Sequence, residues 1–489
     1  MNHAVTVEQW TGRVIKKDEI QRYLERGNDF INDDAIERLL AENRDPEPQR
    51  VRGILARSLA LERLDPVETA ALLNVEDEDL WQEIFETARM VKNRVYGPRI
   101  VTFAPLYCSN LCVNSCLYCA FRHENLLEKR RTLTIEEVRR ETEALVSVGH
   151  KRVIAVYGEH PDSSVDYIAE TIRAIYDTRV GHGEVRRVNV NAAPMSIDSL
   201  RILKQVGIGT YQVFQETYHH ATYRKVHPRG IKADYRWRLY ALHRAQDAGL
   251  DDVAIGALFG LYDWKFEVMG LLLHAIDLER RFGGVGPHTI SFPRLVPGAN
   301  TPFVAASPYK VSDRDFRRLV AVIRVSVPYT GMILTAREPA HIRRDVINLG
   351  CTQTDASTRI GIGAYSDPNA NQQADRQQFL LGDTRDLDEV VRELAQMGQL
   401  TSFCTAGYRC GRTGQHFMNI AKKGKAHHFC IPNAILTFKE YLLDYASEET
   451  RKVGETLIER RIRDVSRGLG PVLRERLDAI ENGVRDLYF

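Results

Sequence analysis

From Arg99 onward the chain alternates between short apolar runs and longer amphipathic stretches, and this rhythm limits the fold more than any other feature. RIVTFAPLY, at its start, is apolar and β-rich. Thr134 and Glu137 have the spacing of a capping box, which opens a helix that Gly149 ends. RVIAVYG (152–158) reads as a buried strand. VNVNA (188–192), TYQVF (210–214), VAIGALF (253–259), HTISFP (288–293), GMILT (331–335) and RIGIGAY (359–365) follow in the same manner. Helical stretches such as SIDSLRILKQVG and the long DYRWRLYALHRAQDAG separate them. About eight strands with their helices in roughly 270 residues is the size of a (βα)8 TIM-type barrel. A doubly wound α/β sheet shares the rhythm. In a barrel, functional residues are expected directly after their strands, on one rim.

The 489-residue chain extends beyond this unit at both ends. Residues 1–95 read as a helical extension, 96–385 as the barrel and 386–489 as a mainly helical C-terminal domain, with helices at Ala434–Leu443 and Glu448–Ser466. The start shows no apolar core of a secretory signal, and no run of about 18 apolar residues occurs. A cytoplasmic protein with no membrane contact is expected. The net charge of +2 gives no reason to expect nucleic acid. Cytoplasmic thiols stay reduced, so the eight cysteines point to metal binding or catalysis, not disulfides.

Cys112, Cys116 and Cys119, spaced C-x3-C-x2-C, fall in the loop after the first strand. Three thiolates can hold three irons of a [4Fe–4S] cubane and leave the fourth without a protein ligand. That open position is what a catalytic metal needs. The amino and carboxylate groups of S-adenosylmethionine could chelate it, and reduction would split the sulfonium to a 5′-deoxyadenosyl radical. Tyr118 supplies an aromatic beside the last ligand. Zinc is the chemical rival, with His123 as a fourth ligand. Cys108 reads as a small buried residue.

The stretch PRIVTFAPLYCSNLCVNSCLYCAFR resembles the cluster loop of the radical-SAM tyrosine lyase family. The likeness continues through YGEHP (157–161), QVFQETYHHATYRKVHP (212–228), GVGPHTISFPR (284–294) and GMILTARE (331–338), and covers roughly 95 to 445. The tail, SFCTAGYRCGRTGQHFM through HHFCIPNAILTFKEYL, is similar to the HydG branch, the [FeFe]-hydrogenase maturases, and not to the ThiH branch. The resemblance implies a radical-SAM barrel and a lyase. Hydrogen abstraction from the amino group of L-tyrosine and Cα–Cβ cleavage would give p-cresol and dehydroglycine, with CO and cyanide formed onward for hydrogenase maturation. It further implies an electron donor such as ferredoxin or flavodoxin and a maturation partner. Two other outcomes stay open: a lyase that releases dehydroglycine to another pathway, and an iron–sulfur scaffold without radical turnover.

By the same resemblance, Gly158 and Glu159 bind the amine of S-adenosylmethionine, and Gln215 and Glu216 face its ribose or methionyl group. Thr335 and Arg337 grip the amino-acid carboxylate, for which the planar guanidinium is suited. Glu338 would otherwise pair with that arginine. His288 is a candidate ligand of an extra iron. HydG-like tails carry Cys-x2-Cys and a third cysteine about two dozen residues on. Cys404 and Cys430 match the outer positions, Gly407 stands at the middle one, and Cys410 lies a little further along. Cys404, Cys410 and Cys430 would form a second iron–sulfur site of altered geometry.

Overall fold

Eight strands close a parallel barrel in the computed structural model, which describes residues 7–367, 377–466 and 468–489. They are β1 (Arg99–Ser109), β2 (Arg152–Tyr157), β3 (Arg187–Asn191), β4 (Tyr211–Gln212), β5 (Val253–Gly256), β6 (Thr289–Ser291), β7 (Gly331–Leu334) and β8 (Gln353–Asp355). Each pairs with the next, and β8 returns to β1 from Val101–Gln353 to Phe103–Asp355. Every residue of β1 is buried, which explains why its sequence runs apolar instead of alternating. Between β1 and β2 the helix Ile135–Ser147 starts at the expected capping box, with Thr134 accepting from the Glu137 amide and Glu137 returning the bond. Gly149, at φ +98, turns the chain toward β2.

Three expectations about the strands and the barrel helices are corrected. The eighth strand is Gln353–Asp355, not 359–365. Gly363, at φ +75, bends RIGIGAY into turns, and the Tyr365 hydroxyl pins them to the Pro105 carbonyl at 2.8 Å. The long helix after β4 breaks at Tyr240 into Tyr235–Leu239 and Ala241–Asp247. The strand rhythm does not stop at residue 385. A further strand, β9 (Leu400–Ser402), pairs in parallel with Arg99–Val101 at the start of β1.

The helix Glu78–Tyr96 lies against the barrel helices Asp313–Ser326 and Ala340–Gly350. Earlier N-terminal helices are tied on by Ser58, which donates to the Val325 carbonyl at 2.8 Å, and by Thr69 against Ser326. The tail helix runs Ala426–Asp444, longer than the expected Ala434–Leu443, and carries Pro432 inside. It packs on β9 and on Glu78–Tyr96. Its buried Glu440 pairs with Lys151 and Arg186, at the starts of β2 and β3. The next helix ends at Arg461, short of the expected Ser466, and a 3-10 turn follows. One apolar cluster contains Trp81, Ile100 and Ile435 alike, so extension, barrel and tail share a core. Among the described residues, no helix is long and apolar enough to cross a membrane.

Candidate active site

All eight strands run the same way, so the loops after them share one rim, here the upper one. The cysteine loop leaves β1 and is fixed by its neighbours. Val113 donates its amide to the Glu159 carbonyl at 2.9 Å, Ser115 and Leu117 donate to Arg229 at 3.2 Å and Val226 at 3.0 Å on one stretch, and Ala120 donates to Gln378 at 3.2 Å. Arg130 closes the loop from behind, donating to the carbonyls of Asn110, Phe121 and Arg122. Backbone bonds to three other segments leave the loop little freedom. Cys112, Cys116 and Cys119 line one cavity. The Asn114 and Gln378 amides approach the Cys112 and Cys119 sulfurs, each at 3.6 Å. Burial pushes all three thiols up, Cys119 to about 11, so their ionisation requires a cation at the site. His123 lines a second depression with His160, which Cys112 alone of the three cysteines also borders. Among the described residues, no three His, Cys, Asp or Glu side chains converge on a single metal ion. A cubane spreads its irons over separate corners and needs no such convergence.

The same cavity takes in Gly158, Glu159, Glu216, Thr335 and Arg337. A Cβ on Gly158 would lie 2.1 Å from the Leu111 carbonyl oxygen, so only glycine permits β2 to approach the cysteine loop this closely. Asn114 donates to Glu159 Oε2 at 2.5 Å, while Oε1 is buried without a hydrogen-bond partner. Gln215 is buried with both amide atoms unpaired, but unlike Phe214 and Glu216 on either side it does not line the cavity. Glu216 holds a left-handed backbone, φ +71, and accepts from Lys232 at 2.6 Å and Arg238 at 3.3 Å. Burial alone would raise its carboxyl, but these two cations overcome it and hold the group below the ordinary value. A strained non-glycine residue kept in place by two ion pairs is typical of a functional position.

Thr335 Oγ1 is also buried and unpaired. Arg337 lies 3.3 Å from the centroid of the Phe379 ring. Glu338 turns away from it and accepts from Arg294, at 3.0 Å from Nε. The guanidinium is thereby left for the cavity.

The remaining predicted residues sit elsewhere. His288 precedes β6 on the lower rim, stacked on Phe417 at 4.4 Å, with Nδ1 3.6 Å from Asp252. Burial lowers its pKa against the pull of Asp252, which favours the neutral ring. Cys404 follows β9, half-buried, and the Ala406 amide donates to its sulfur at 3.3 Å. Burial raises its thiol, and Cys430 nearby adds to the shift. Cys410 is exposed, 3.9 Å from the Phe489 carbonyl. A Cβ on Gly407 would meet only the Arg412 carbonyl, at 3.5 Å. Sequence reasoning missed Asn114, Lys232 and Arg238, together with Tyr107, Ser291 and Asp355 on the cavity wall. Asn114 alone had a signal, lying inside the cysteine motif.

A parallel barrel with a three-cysteine loop after its first strand defines a radical SAM protein, and the Radical SAM superfamily model matches residues 106–270. The Biotin and Thiamin Synthesis associated domain matches 291–399. The chain belongs to the HydG family. It is 49% identical to a solved HydG, described as a maturase of the [FeFe]-hydrogenase, over 94% of this chain and 100% of that one, with a TM-score of 0.91. HydG from Carboxydothermus hydrogenoformans is 38% identical, over 95% and 99%, with a TM-score of 0.78. The 2-iminoacetate synthase of Salmonella typhimurium is 29% identical over 345 residues, 70% of this chain and 87% of that protein. The protein is therefore a radical SAM lyase that uses a [4Fe–4S] cluster with S-adenosylmethionine.

Proposed function

We propose that the upper cavity cleaves the Cα–Cβ bond of L-tyrosine to p-cresol and dehydroglycine. The observation that carries this reading is a single cavity faced by three thiols, an arginine free of its neighbouring glutamate and several unpaired buried polar atoms. Bound there, the cluster and S-adenosylmethionine supply a reductively generated 5′-deoxyadenosyl radical. Cys112, Cys116 and Cys119 would hold the cluster and leave it an open position for S-adenosylmethionine. Glu159 Oε1 would accept from the cofactor's ammonium group and Glu216 would face its ribose or methionyl part, while Gln215 would act from behind the lining. Gly158 lets the end of β2 close on the cysteine loop, because no Cβ meets the Leu111 carbonyl. Arg337 and Thr335 take the substrate carboxylate, a bidentate charge-assisted contact. Phe103, Ile154 and Ile333 wall the cavity with apolar surface that keeps water from the reacting centre. The residues fit: Glu159 Oε1 and Thr335 Oγ1, buried and unpaired on the cavity wall, are an acceptor for an ammonium and a hydroxyl for a carboxylate.

The natural reductant would be a ferredoxin or flavodoxin, and the working compartment the cytoplasm, where the thiols stay reduced. Family membership supports onward conversion of dehydroglycine to CO and cyanide for hydrogenase maturation. A second cluster for that step would draw on Cys404, Cys410 and Cys430, with His288 at an extra iron. As they stand these residues do not fit it, with Gly407 at the middle position and Cys410 exposed against Phe489. The lyase step uses none of them.

The test is anaerobic reconstitution followed by S-adenosylmethionine, dithionite and L-tyrosine. Deoxyadenosine and p-cresol should form together. Deoxyadenosine without p-cresol would remove tyrosine as the substrate, and neither product would remove the lyase.

A further inference from the structure

An α-amino acid carries a cation next to its anion, so a site that grips the carboxylate must also receive the ammonium. Burying that ammonium without a partner would cost more than the carboxylate contact returns. Among the described residues, three carboxylates line the cavity: Glu159, Glu216 and Asp355. Glu216 is already paired with Lys232 and Arg238. Glu159 lies beside the cysteine loop, bonded to Asn114.

Asp355 ends β8 and is 5% exposed. Its Oδ2 accepts from the Thr358 hydroxyl at 2.9 Å, while Oδ1 is buried with no hydrogen-bond partner. The nearest cation, Arg343, stays 3.8 Å from Oδ1. Its guanidinium is committed to Asp383 at 2.5 Å, to Thr354 at 2.6 Å and to the Asp355 carbonyl. On the other side the carboxyl adjoins the Ala336 amide, the residue between Thr335 and Arg337. Tyr107 on β1 lies within electrostatic reach of both Asp355 and Arg337. Burial raises the Asp355 carboxyl despite Arg343 and Thr358, as expected of an acid short of one counter-charge.

We infer that Asp355 Oδ1 receives the α-ammonium group of the substrate, against the same turn on which Thr335 and Arg337 receive its carboxylate. This inference rests on the amino-acid lyase reading of the cavity. It makes Asp355 the residue that separates α-amino acids from plain carboxylic acids.

The experiment compares L-tyrosine with 3-(4-hydroxyphenyl)propanoate, which lacks only the amine. Equilibrium dialysis against the reconstituted protein with S-adenosylmethionine reads both affinities. The wild type should hold tyrosine at least about tenfold more tightly, the scale of a buried charged pair. Asp355→Asn should erase that preference by weakening tyrosine while leaving the amine-free acid unchanged, and Asp355→Glu should restore part of it. Equal affinity of the wild type for both ligands overturns the inference without any variant. So does an Asp355→Asn protein that keeps the preference. A wild type that makes p-cresol yet ignores the amine refutes only this inference. One that binds neither ligand and makes no p-cresol refutes the lyase reading with it.

Discussion

The upper rim and the tail beneath the barrel carry three of the chain's cysteines each, but they treat them differently. Above, Cys112, Cys116 and Cys119 open on one cavity, in a loop tied to three other segments. Below, Cys404 is half-buried under its own helix turn, and Cys410 points out toward the chain's last residue. The polar groups differ in what they border. Upper-rim atoms such as Glu159 Oε1, Thr335 Oγ1 and Asp355 Oδ1 are buried and unpaired, aimed at the cavity they line. On the lower rim Asp252 accepts from Tyr408 through Oδ2 at 2.7 Å and Arg152 donates to the Cys404 carbonyl at 2.9 Å, while Asp252 Oδ1 and Arg99 Nε stay buried without a partner. What separates the rims is the cavity: the upper unpaired atoms share one lining that a ligand can complete, and the lower ones do not border it.

The largest expected effect tests this contrast directly. Cys116→Ala should abolish deoxyadenosine and p-cresol formation, because two thiolates do not hold the cubane in place of three. Cys404→Ala should leave p-cresol formation within about twofold, since nothing on the upper rim depends on that side chain. Product assays on both reconstituted variants decide it. Loss of p-cresol in Cys404→Ala would mean that the rims are coupled.

Glu216 gives the next effect. Glu216→Gln leaves Lys232 and Arg238 buried without their anion and should cost about 3 kcal/mol of stability. The folded-state carboxyl lies below its ordinary value of 4.5. Its contribution is therefore complete above the unfolded value and fades as pH falls through the folded one. Thermal unfolding of wild type and variant should differ most near neutrality and converge in acid. A gap that stays constant with pH would assign the loss to packing.

Sequence made the upper rim legible where one residue type carries the chemistry. The cysteine spacing, Gly158–Glu159 after β2 and Arg337 after β7 all stand where the strand rhythm puts them. Lys232, Arg238 and Asp355 were not legible, because each is an ordinary residue until the fold closes. Lys232 meets Glu216 only because the intervening chain loops back across the rim. The eighth strand was misplaced for a related reason. Gln353–Asp355 is short and polar, and it is a strand only because β1 and β7 flank it. The apolar 359–365 looked like the better candidate, but its glycines serve turns. On the lower rim, Gly407 was legible as a departure from the family, whereas the space around it was not.

That space supplies the smallest expected effect and the sharpest contrast between the rims. Gly158→Ala pushes a methyl to 2.1 Å from the Leu111 carbonyl oxygen, a backbone atom that cannot swing aside. The strand or the cysteine loop must shift, at a cost of about 1–3 kcal/mol. Binding of S-adenosylmethionine should weaken with it, since the loop carries the cluster thiols. Gly407→Ala meets only the Arg412 carbonyl at 3.5 Å, an ordinary contact, and its backbone is not left-handed. Stability should change by no more than about 0.5 kcal/mol. Denaturant unfolding of the two proteins measures both costs on one scale. If Gly407→Ala proved the more damaging, the lower rim would be holding a close-packed arrangement at Gly407, and glycine there would be a requirement of the fold, not an open place in it.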